Sequence, residues 1–357
     1  MTTELRSLLA DTVGRLFTDL CTKELIESAE RGAWPEGLWR ALEEGGLTLP
    51  LVPEARGGAG GTWLDAHVVV RAAGRHAAPV PLAETIVAGS LLAEAGLDVP
   101  LGPLTVAPVR RDETLALARA GGEWRLSGTA TRVPWGAAAA HTVVVVRGDG
   151  QTMVALVARD GGRATADRNI AVEPRDTLTF ADAPILAVAP LPSHAGGMEA
   201  ITLRGALVRS AQMAGALDSL LEQSVRYTTE RRQFGRPLAS FQAIQHQLAV
   251  LAGHAAAAGI AAERAFAAAE DGDAAFEIAV AKVRAGEAAG IAAGIAHQVH
   301  GAIGFTYEHS LHFATRRLWS WRAEFGSESH WAEALGRRVV ARGADALWPD
   351  LTTTTSR

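Results

Sequence analysis

An arginine, an aromatic residue and a glycine follow one long helical segment of this chain. A glutamine and a glycine lie at the end of a second long helical segment. They are Arg231, Phe234 and Gly235 in the first group, and Gln298 and Gly301 in the second. The planar guanidinium of arginine binds phosphate through two parallel hydrogen bonds, and glycine lets backbone N–H groups approach an anion closely. An aromatic side chain packs against a flat ring. The two groups therefore predict a site for a phosphate-bearing ligand with a planar ring.

The composition limits the kind of protein. The chain has 357 residues, of which 48% are hydrophobic and 20% charged, with a formal net charge of -5. These values describe a folded protein of two or three domains and give no reason to expect nucleic acid. Cys21 is the only cysteine, which excludes a disulfide framework and a thiolate metal cluster. The sequence has no leader-type amino terminus and no apolar run that could cross a bilayer, so we expect a soluble, cytoplasmic protein without a membrane partner.

Hydrophobic periodicity divides the chain into three parts. Residues 1–100 show the 3.6-residue period of amphipathic helices. Residues 101–192 change to short apolar runs between glycine turns, which predicts a small β-barrel or sandwich. Residues 193–357 return to long helical segments rich in small residues. The predicted strands are Leu104–Val109, Leu115–Ala118, Thr142–Val146, Met153–Val157 and Thr177–Phe180, and the predicted long helices are Ile201–Thr229, Phe241–Glu270 and Ala274–Val299.

These features together resemble a known family. The run from Arg231 to Gly235, followed by Gln298-x-x-Gly301, is similar to the carboxyl-terminal domain of the acyl-CoA dehydrogenases, and residues 53–60 are similar to a Pro-Glu-x-x-Gly-Gly-x-Gly passage in their first domain. The resemblance covers nearly the whole chain. It implies an α+β fold with a helical amino-terminal domain, a middle β-domain and a carboxyl-terminal four-helix bundle.

The resemblance also implies that one group of residues binds FAD. Arg231 would reach the FAD pyrophosphate of a neighbouring subunit, while Phe234 and Gln242, with the motif residue Gln233, would line the adenosine end. The far side of the site would be completed by Gln298, Gly301 and Ala302. In the alternative interpretation, Arg231 pairs with a carboxylate near the end of its helix.

The catalytic base of the family is a glutamate in a Glu-Gly pair, and this chain departs from that pattern. The register places Phe325 before Gly326, with Glu324 as the neighbouring carboxylate. A base must come within hydrogen-bonding reach of its proton, and one residue on a helix is a turn of about 100°. Either the backbone shifts so that Glu324 is the catalytic base, or Glu324 is a solvated or ion-paired residue. Some members carry the glutamate on an earlier helix, where this chain has Gly205; the nearby Gln212 is an amide and cannot act as a base.

The middle domain departs further, at the positions that hold the reactive flavin ring. Where members carry a Thr-Glu-Pro-x-x-Gly-Ser-Asp loop, residues 106–112 lack that string. Where members carry Trp-x-Thr or Trp-x-Ser, the register from Gly128 gives Arg132 and Pro134. We interpret the nearby Trp135 as part of the β-domain core. The sequence thus keeps residues that touch a neighbour's cofactor and lacks those that fix its own flavin ring.

Other residues suit chemistry less well. His297 and His300 lie three residues apart and, with Glu308 or His309, could be drawn as a metal site, but no second ligand pair of clear spacing supports it. We predict no metal and expect Glu308 to anchor its loop. Three tryptophans near the carboxyl end, Trp319, Trp321 and Trp331, could line an acyl pocket. Aromatic residues at helical spacing, however, usually belong to the hydrophobic core.

These observations lead to one expectation and two alternatives. We expect a short, divergent acyl-CoA dehydrogenase subunit that catalyses α,β-dehydrogenation of an acyl-CoA thioester with FAD and passes electrons to an electron-transfer flavoprotein. It is most similar to actinobacterial forms ending in Trp-x-Arg-x-Glu-Phe-Gly, here Trp321 to Gly326, which often work as heteromers in steroid and other cyclic-substrate catabolism. We therefore expect a homo- or hetero-oligomer. Alternatively, the chain is a noncatalytic partner that completes a neighbour's FAD site, or a flavin monooxygenase on the same scaffold, which needs no α-proton base.

Overall fold

The computed structural model describes residues 3–353, and the first part of it is helical. The helices are α1 (Thr3–Leu20), α2 (Lys23–Glu30), α3 (Glu36–Glu44), α4 (Trp63–Arg75) and α5 (Leu82–Glu94). The amphipathic pattern of α1 buries Val13 and Phe17 completely, as its period predicts. α5 is buried on every face from Leu82 to Leu92, which its almost wholly apolar composition allows.

A β-region follows, with strands β1 (Leu104–Ala107), β2 (Ala116–Ala120), β3 (Glu123–Pro134), β4 (His141–Gly148), β5 (Gln151–Ala158), β6 (Arg163–Thr165), β7 (Arg175–Pro184) and β8 (Ala187–Pro190). One sheet has the order β1-β4-β5-β8, with β1 parallel to β4, and a second has the order β2-β3-β7-β6. Residues of both sheets, such as Val144 and Phe180, share one hydrophobic cluster. The sheets therefore pack face to face, which confirms a β-domain of the predicted class.

The sequence pattern misses β3, β6 and β8. β3 contains Gly128 and two shifts of register against β7, after Leu126 and after Ala130, so its side chains do not alternate regularly. β6 and β8 are short strands at the edges of their sheets. Neither contains a buried residue, whereas β1, which is as short as β8 and also lies at an edge, is buried throughout and was predicted from its apolar run.

Long helices form the last part of the chain. They are α6 (Ala200–Glu230), α7 (Gln242–Glu270), α8 (Ala275–His300), α9 (Leu311–Trp321), α10 (Glu328–Arg342) and α11 (Ala344–Thr353). A two-stranded hairpin of β9 (Arg232–Gln233) and β10 (Arg236–Pro237) separates α6 from α7. The predicted bounds of α6, α7 and α8 differ from these by at most one residue at each end.

α6 lies at the centre of the molecule and contacts helices of both helical parts. Its close approach to α4 depends on glycine: a Cβ on Gly215 would lie 2.0 Å from the Arg71 carbonyl oxygen, and a Cβ on Gly74 would lie 2.1 Å from the Gln212 carbonyl oxygen. Any larger residue at either position would push the two helices apart. This contact fixes where α6 presents its side chains.

One hydrophobic cluster extends through all three parts, and includes Phe17, Leu91, Val143, Leu207 and Phe266. The helical parts and the β-region are therefore packed together around a shared core. Among the helices within residues 3–353, none combines the length and the apolar composition needed to cross a membrane.

Candidate functional site

Charged side chains from all three parts of the fold meet in the interior of the molecule. Acidic and basic groups alternate in a continuous chain of ion pairs, and their side chains are only 1% to 15% exposed. We call this group the inner charge cluster; its members, in order of contact, are Glu84, Arg209, Glu324, Arg175, Glu173, Arg317 and Glu30. An unpaired buried charge costs several kcal/mol, so the alternation of sign is what permits this burial.

Glu324, the candidate base, lies at the centre of the inner charge cluster. Its Oε1 accepts a hydrogen bond from Nε of Arg175 at 2.7 Å, and its Oε2 accepts one from Nε of Arg209 at 2.8 Å. Asn169 donates a further, longer bond of 3.3 Å to Oε1. Burial acts to raise the pKa of Glu324, but the Arg175 and Arg209 guanidiniums overcome it and lower that pKa to about 2. A carboxylate held in this way is a weak proton acceptor, so the geometry favours the ion-paired alternative.

Phe325 and Gly205, the positions to which the resemblance assigns a catalytic glutamate, are in direct contact. A Cβ built on Gly205 would lie 2.2 Å from Cδ1 of Phe325, so the phenyl ring occupies the space that any side chain at 205 would need. The Phe325 carbonyl accepts a hydrogen bond of 3.0 Å from Nε1 of Trp331. In this chain the two positions thus form an apolar contact, with Arg209 one helical turn further along α6.

The tryptophans near the carboxyl end occupy two environments. Trp321 is 2% exposed and donates a hydrogen bond of 2.9 Å from Nε1 to Glu173 of the inner charge cluster. Trp331 is 6% exposed and belongs to the shared core. Trp319 is 37% exposed. Trp321 and Trp331 therefore serve packing and hydrogen bonding inside the protein.

The middle β-domain does not fit the reactive ring of a flavin. Arg132 is exposed, and Pro134, at the position of the family's hydrogen-bonding residue, has no N–H to donate. The Pro134 carbonyl accepts a hydrogen bond of 2.5 Å from the Thr105 hydroxyl, and Trp135 is buried with 8% exposure. Pro134 and Trp135 are therefore buried within the β-domain itself.

The residues predicted to bind the cofactor lie at one end of the carboxyl-terminal helices. Tyr227, one turn before the end of α6, stacks on His300, the last residue of α8, with ring centroids 4.6 Å apart. The ends of α6 and α8 therefore adjoin, and α7 begins beside them after the hairpin. We call this surface the bundle end; its members, all exposed, are Arg231, Gln233, Phe234, Gln242, Gln298, Gly301 and Ala302.

Arg231 is the capping residue of α6, and its backbone is fixed on both sides. Its N–H donates to the Tyr227 carbonyl and its carbonyl accepts from the Leu238 N–H, both at 2.8 Å. Among the described residues its guanidinium forms no hydrogen bond or ion pair, so the carboxylate pairing left open by the sequence is not seen there. Together with the positive φ of Gly301 (63°), which turns backbone outward at the end of α8, this arrangement fits a phosphate group.

Phe234 extends from the hairpin beside Arg231. It is 91% exposed, and its nearest ring is Phe241 at 6.2 Å between centroids. Its φ of 50° lies in the left-handed region, which is unfavourable for a bulky residue. A strained, exposed aromatic ring fits contact with a ligand or a partner better than a role in packing.

A pocket of about 240 Å³ adjoins the bundle end. His297 lines it, stacks on Phe305 with centroids 4.5 Å apart, and contacts the Thr315 hydroxyl through Nε2 at 3.2 Å. His300 instead stacks on Tyr227. The two histidines thus belong to separate aromatic contacts, and within residues 3–353 no group of three or more metal-binding side chains is found.

Sequence reasoning did not find the arginines of the inner charge cluster or the buried Lys282. Arg175 and Arg209 lie far apart in sequence and are brought together by tertiary packing alone. Lys282 did carry a signal: it is one of only two lysines in the chain and lies within the apolar run from Ala279 to Val283. A charged residue there is either buried or functional.

Comparison with known proteins agrees with this architecture. The family model described as "Acyl-CoA dehydrogenase, N-terminal domain" matches residues 3–98, and that described as "Acyl-CoA dehydrogenase, C-terminal domain" matches residues 198–340. The acyl-CoA dehydrogenase IpdE2 of Mycobacterium tuberculosis is 32% identical over 88% of this chain and 91% of its own length. IpdE2 of Mycolicibacterium smegmatis is 29% identical over 88% and 92%.

Two solved structures extend the similarity to three dimensions. A chain of the ChsE4-ChsE5 complex from Mycobacterium tuberculosis has a TM-score of 0.85 and 26% identity, covering 95% of this chain and 98% of its own. A chain of the Tcur3481-Tcur3483 steroid ACAD G363A variant has a TM-score of 0.84 and 30% identity, covering 96% and 99%. The fold and these relatives define a flavoprotein oxidoreductase class. This chain belongs to the acyl-CoA dehydrogenase family.

Proposed function

We propose that this chain is the supporting subunit of an acyl-CoA dehydrogenase assembly, in which a partner subunit supplies the catalytic base. The observation that carries the proposal is the position of Glu324 between Arg175 and Arg209. To accept a substrate proton, one oxygen of this carboxylate would have to release a charge-assisted hydrogen bond inside the protein. The assembly as a whole catalyses α,β-dehydrogenation of an acyl-CoA thioester.

The contact between Phe325 and Gly205 also supports the proposal that the partner subunit supplies the catalytic base. In a dehydrogenase the acyl group must lie next to the base, because proton removal requires direct contact. Here the ring of Phe325 packs on Gly205, and the adjacent Arg209 is 1% exposed. The Phe325 ring thus excludes a side chain at 205, and neither position offers a carboxylate to an acyl group, so we infer that the acyl group binds in the partner.

The bundle end supports a role in holding FAD. Arg231 is suited to the pyrophosphate, since its free guanidinium can bind phosphate through two hydrogen bonds, and Phe234 is suited to the flat adenine ring. When bound, FAD supplies the hydride acceptor. Because Pro134 cannot donate a hydrogen bond at the position where members of the family bind the flavin ring, we infer that the ring lies in the partner and that this chain holds the other end of the cofactor.

The relatives support a partner of the same family. Each of the two solved structures named above is described by a pair of chain names, and one of them is described as a steroid ACAD. We therefore propose a heteromeric assembly with another acyl-CoA dehydrogenase chain, a steroid-derived or other cyclic acyl-CoA as substrate, and an electron-transfer flavoprotein as the acceptor of electrons.

The test is the reductive half-reaction of the complex made by co-expressing this chain with a second acyl-CoA dehydrogenase chain that carries the glutamate base. Flavin bleaching by acyl-CoA would be timed for the parent, for Glu324→Gln and for Glu84→Gln. Glu84 pairs with the same Arg209, so its variant reports the structural effect of losing one charge in the cluster. We expect both variants to remain within severalfold of the parent.

The partner's own glutamate gives the positive arm of this test. Its replacement by glutamine should slow flavin reduction by roughly two to four decades, the usual cost of losing a general base. A loss of that size in Glu324→Gln, absent from Glu84→Gln, would show instead that this chain carries the base. Oxygen consumption without thioester desaturation would point to the monooxygenase alternative.

A further inference from the structure

The outer side of α7 is apolar and yet exposed. Residues 248–262, about four turns of the helix, include no charged side chain, and their one strongly polar residue is His254. One side of this stretch packs into the protein, where Leu251 is completely buried. The other side faces solvent, where Val250 is 48% exposed and Ile260 is 64% exposed. We call residues 248–262 the apolar band.

This composition does not suit a helix that has one side in water. A helix at the surface of a folded protein carries polar and charged residues on its outer side, whereas a helix that is apolar all round is covered on every side. Contiguous exposed apolar surface marks a contact with another molecule. The apolar band therefore indicates that a second molecule covers α7.

α8 extends the same kind of surface onto the neighbouring helix. It follows α7 after the turn 271–274 and packs beside it in the opposite direction. Its residues 288–296 also include no charge, and Ile291 among them is 43% exposed. Gly253 of α7 and Gly294 of α8 are exposed, and an added Cβ at either would meet no other atom of the described chain within 4 Å. Glycine weakens a helix, and the packing within this chain does not require it at these two positions, whereas close approach of another helix does.

The two ends of α7 carry opposite charge. Residues 230–247, around its beginning, contain three arginines and one glutamate, whereas residues 263–273, around its end, contain four carboxylates and one arginine. All of these charged side chains are exposed. The apolar band lies midway between the two charged ends, and Val250 and Ile260 are equally distant from its centre.

This arrangement is complementary to itself when a second copy lies antiparallel across the centre of the apolar band. The two bands then coincide, and Val250 of each copy lies opposite Ile260 of the other. The arginines at the beginning of one α7 lie beside the carboxylates at the end of the other. A parallel arrangement would instead bring like charges together, which is unfavourable.

The size of the surface agrees with a stable pair. α7 has 29 residues, so it is about 43 Å long, and a helix with its side chains is about 10 Å across. The outer sides of α7 and α8 together therefore offer on the order of 800 Å², which is what one partner contributes to a typical stable interface. α7 without α8 would offer about half of that area.

We propose that the outer sides of α7 and α8 form a two-fold contact between two copies of this chain, centred on the apolar band. A surface that binds its own copy in this way must be self-complementary, and an apolar centre between oppositely charged ends meets that requirement. The inference does not rest on the proposed function, because the contact needs neither FAD nor a dehydrogenase partner.

Sedimentation velocity of the chain purified without a partner tests the contact. The parent is expected to sediment as a dimer at about 10 μM. Ile260→Glu should raise the dissociation constant by roughly a hundredfold or more, because the symmetric contact would bury two unpaired carboxylates. The matched control is Leu101→Glu, which makes the same kind of change at a residue that is 76% exposed and lies outside α7 and α8; it should remain dimeric. Circular dichroism checks that both variants are folded.

Charge reversal tests the antiparallel orientation. Arg236→Asp and Asp271→Arg each place like charges together and should weaken the dimer by roughly two- to tenfold, whereas the double variant should recover most of the parent affinity, since each copy then carries both changes. A parent that stays monomeric at about 100 μM would overturn the proposal. A dimer that Ile260→Glu leaves intact, or a double variant that binds no better than the weaker single variant, would also overturn it.

Discussion

In the inner charge cluster each guanidinium meets a carboxylate inside the protein, whereas at the bundle end Arg231 extends into solvent from the last turn of α6. Arg209 is bound by Glu84 at 2.5 Å and by Glu324 at 2.8 Å. The fold has used the hydrogen-bonding capacity of Arg209 and left that of Arg231 free. Residue type alone would have assigned both arginines to anion binding, so what distinguishes them is whether an internal partner exists.

Two Phe-Gly pairs show the same contrast in the backbone. Phe325 and Gly326 have φ values of 52° and 95°, and Phe234 and Gly235 have 50° and 81°. Phe325 is 7% exposed and packs on Gly205, whereas Phe234 is 91% exposed. Packing offsets the strain of the first pair. The second pair is held in its conformation by the β9–β10 hairpin, whose two-residue turn takes positive φ at both residues. The Phe234 ring, which contacts Phe241 only at its edge, is left available to a ligand or partner.

The largest expected effect comes from breaking the inner charge cluster. Arg209→Met removes the partner of two buried carboxylates, Glu84 and Glu324, and leaves them without their shared cation. Loss of one member of a buried ion network typically costs roughly 3 to 5 kcal/mol of the free energy of unfolding. Urea denaturation followed by circular dichroism would measure it.

Arg226→Met is the matched control for this prediction, because Arg226 also lies on α6 and pairs with Glu222, but at the surface. It should change the free energy of unfolding by less than about 1 kcal/mol. Equal effects of the two variants would mean that burial does not distinguish the inner charge cluster from a surface ion pair.

A smaller effect is expected from a change at the bundle end. Arg231→Ala should lower FAD retention in the assembled complex by about one to two decades, since a hydrogen bond to a charged group contributes roughly 1.5 to 3 kcal/mol. Arg231→Lys should restore part of it, because lysine keeps the charge but lacks the planar fork. Flavin release during dilution, followed by absorbance, gives the measurement.

Arg226→Ala again provides the control on the same helix. It removes an exposed arginine of α6 without touching the bundle end, and FAD retention should not change. If Arg231→Ala held FAD as tightly as this control, the cofactor role of the bundle end would be refuted.

The elements could be predicted wherever a long pattern was present. The period of α6, α7 and α8 located these helices to within a residue, and the order of helices, strands and helices is confirmed. The inner charge cluster could not be predicted, because Glu84, Arg175 and Arg209 come from three separate segments and nothing local marks them as buried. The register from Gln298 and Gly301 places Phe325 where the family has a glutamate, but nothing in the sequence indicates that the ring packs on Gly205. That contact depends on the position of α6, which is determined by its packing against α4.

The smallest expected effect concerns Phe234. The prediction tests whether the positive φ of Phe234 contributes to the stability of the isolated chain. Phe234 and Gly235 are the central residues of a two-residue hairpin between β9 and β10, and both have positive φ. Hairpins of this kind favour Asn-Gly, because asparagine tolerates the left-handed region. Phe234→Asn should therefore raise the free energy of unfolding of the isolated chain by about 1 kcal/mol or less, measured by thermal denaturation.

The same variant should weaken FAD retention in the complex by roughly two- to tenfold, the usual contribution of one aromatic contact. A variant that lost stability in isolation and kept FAD would assign Phe234 to the fold, and would remove the contrast between the two Phe-Gly pairs.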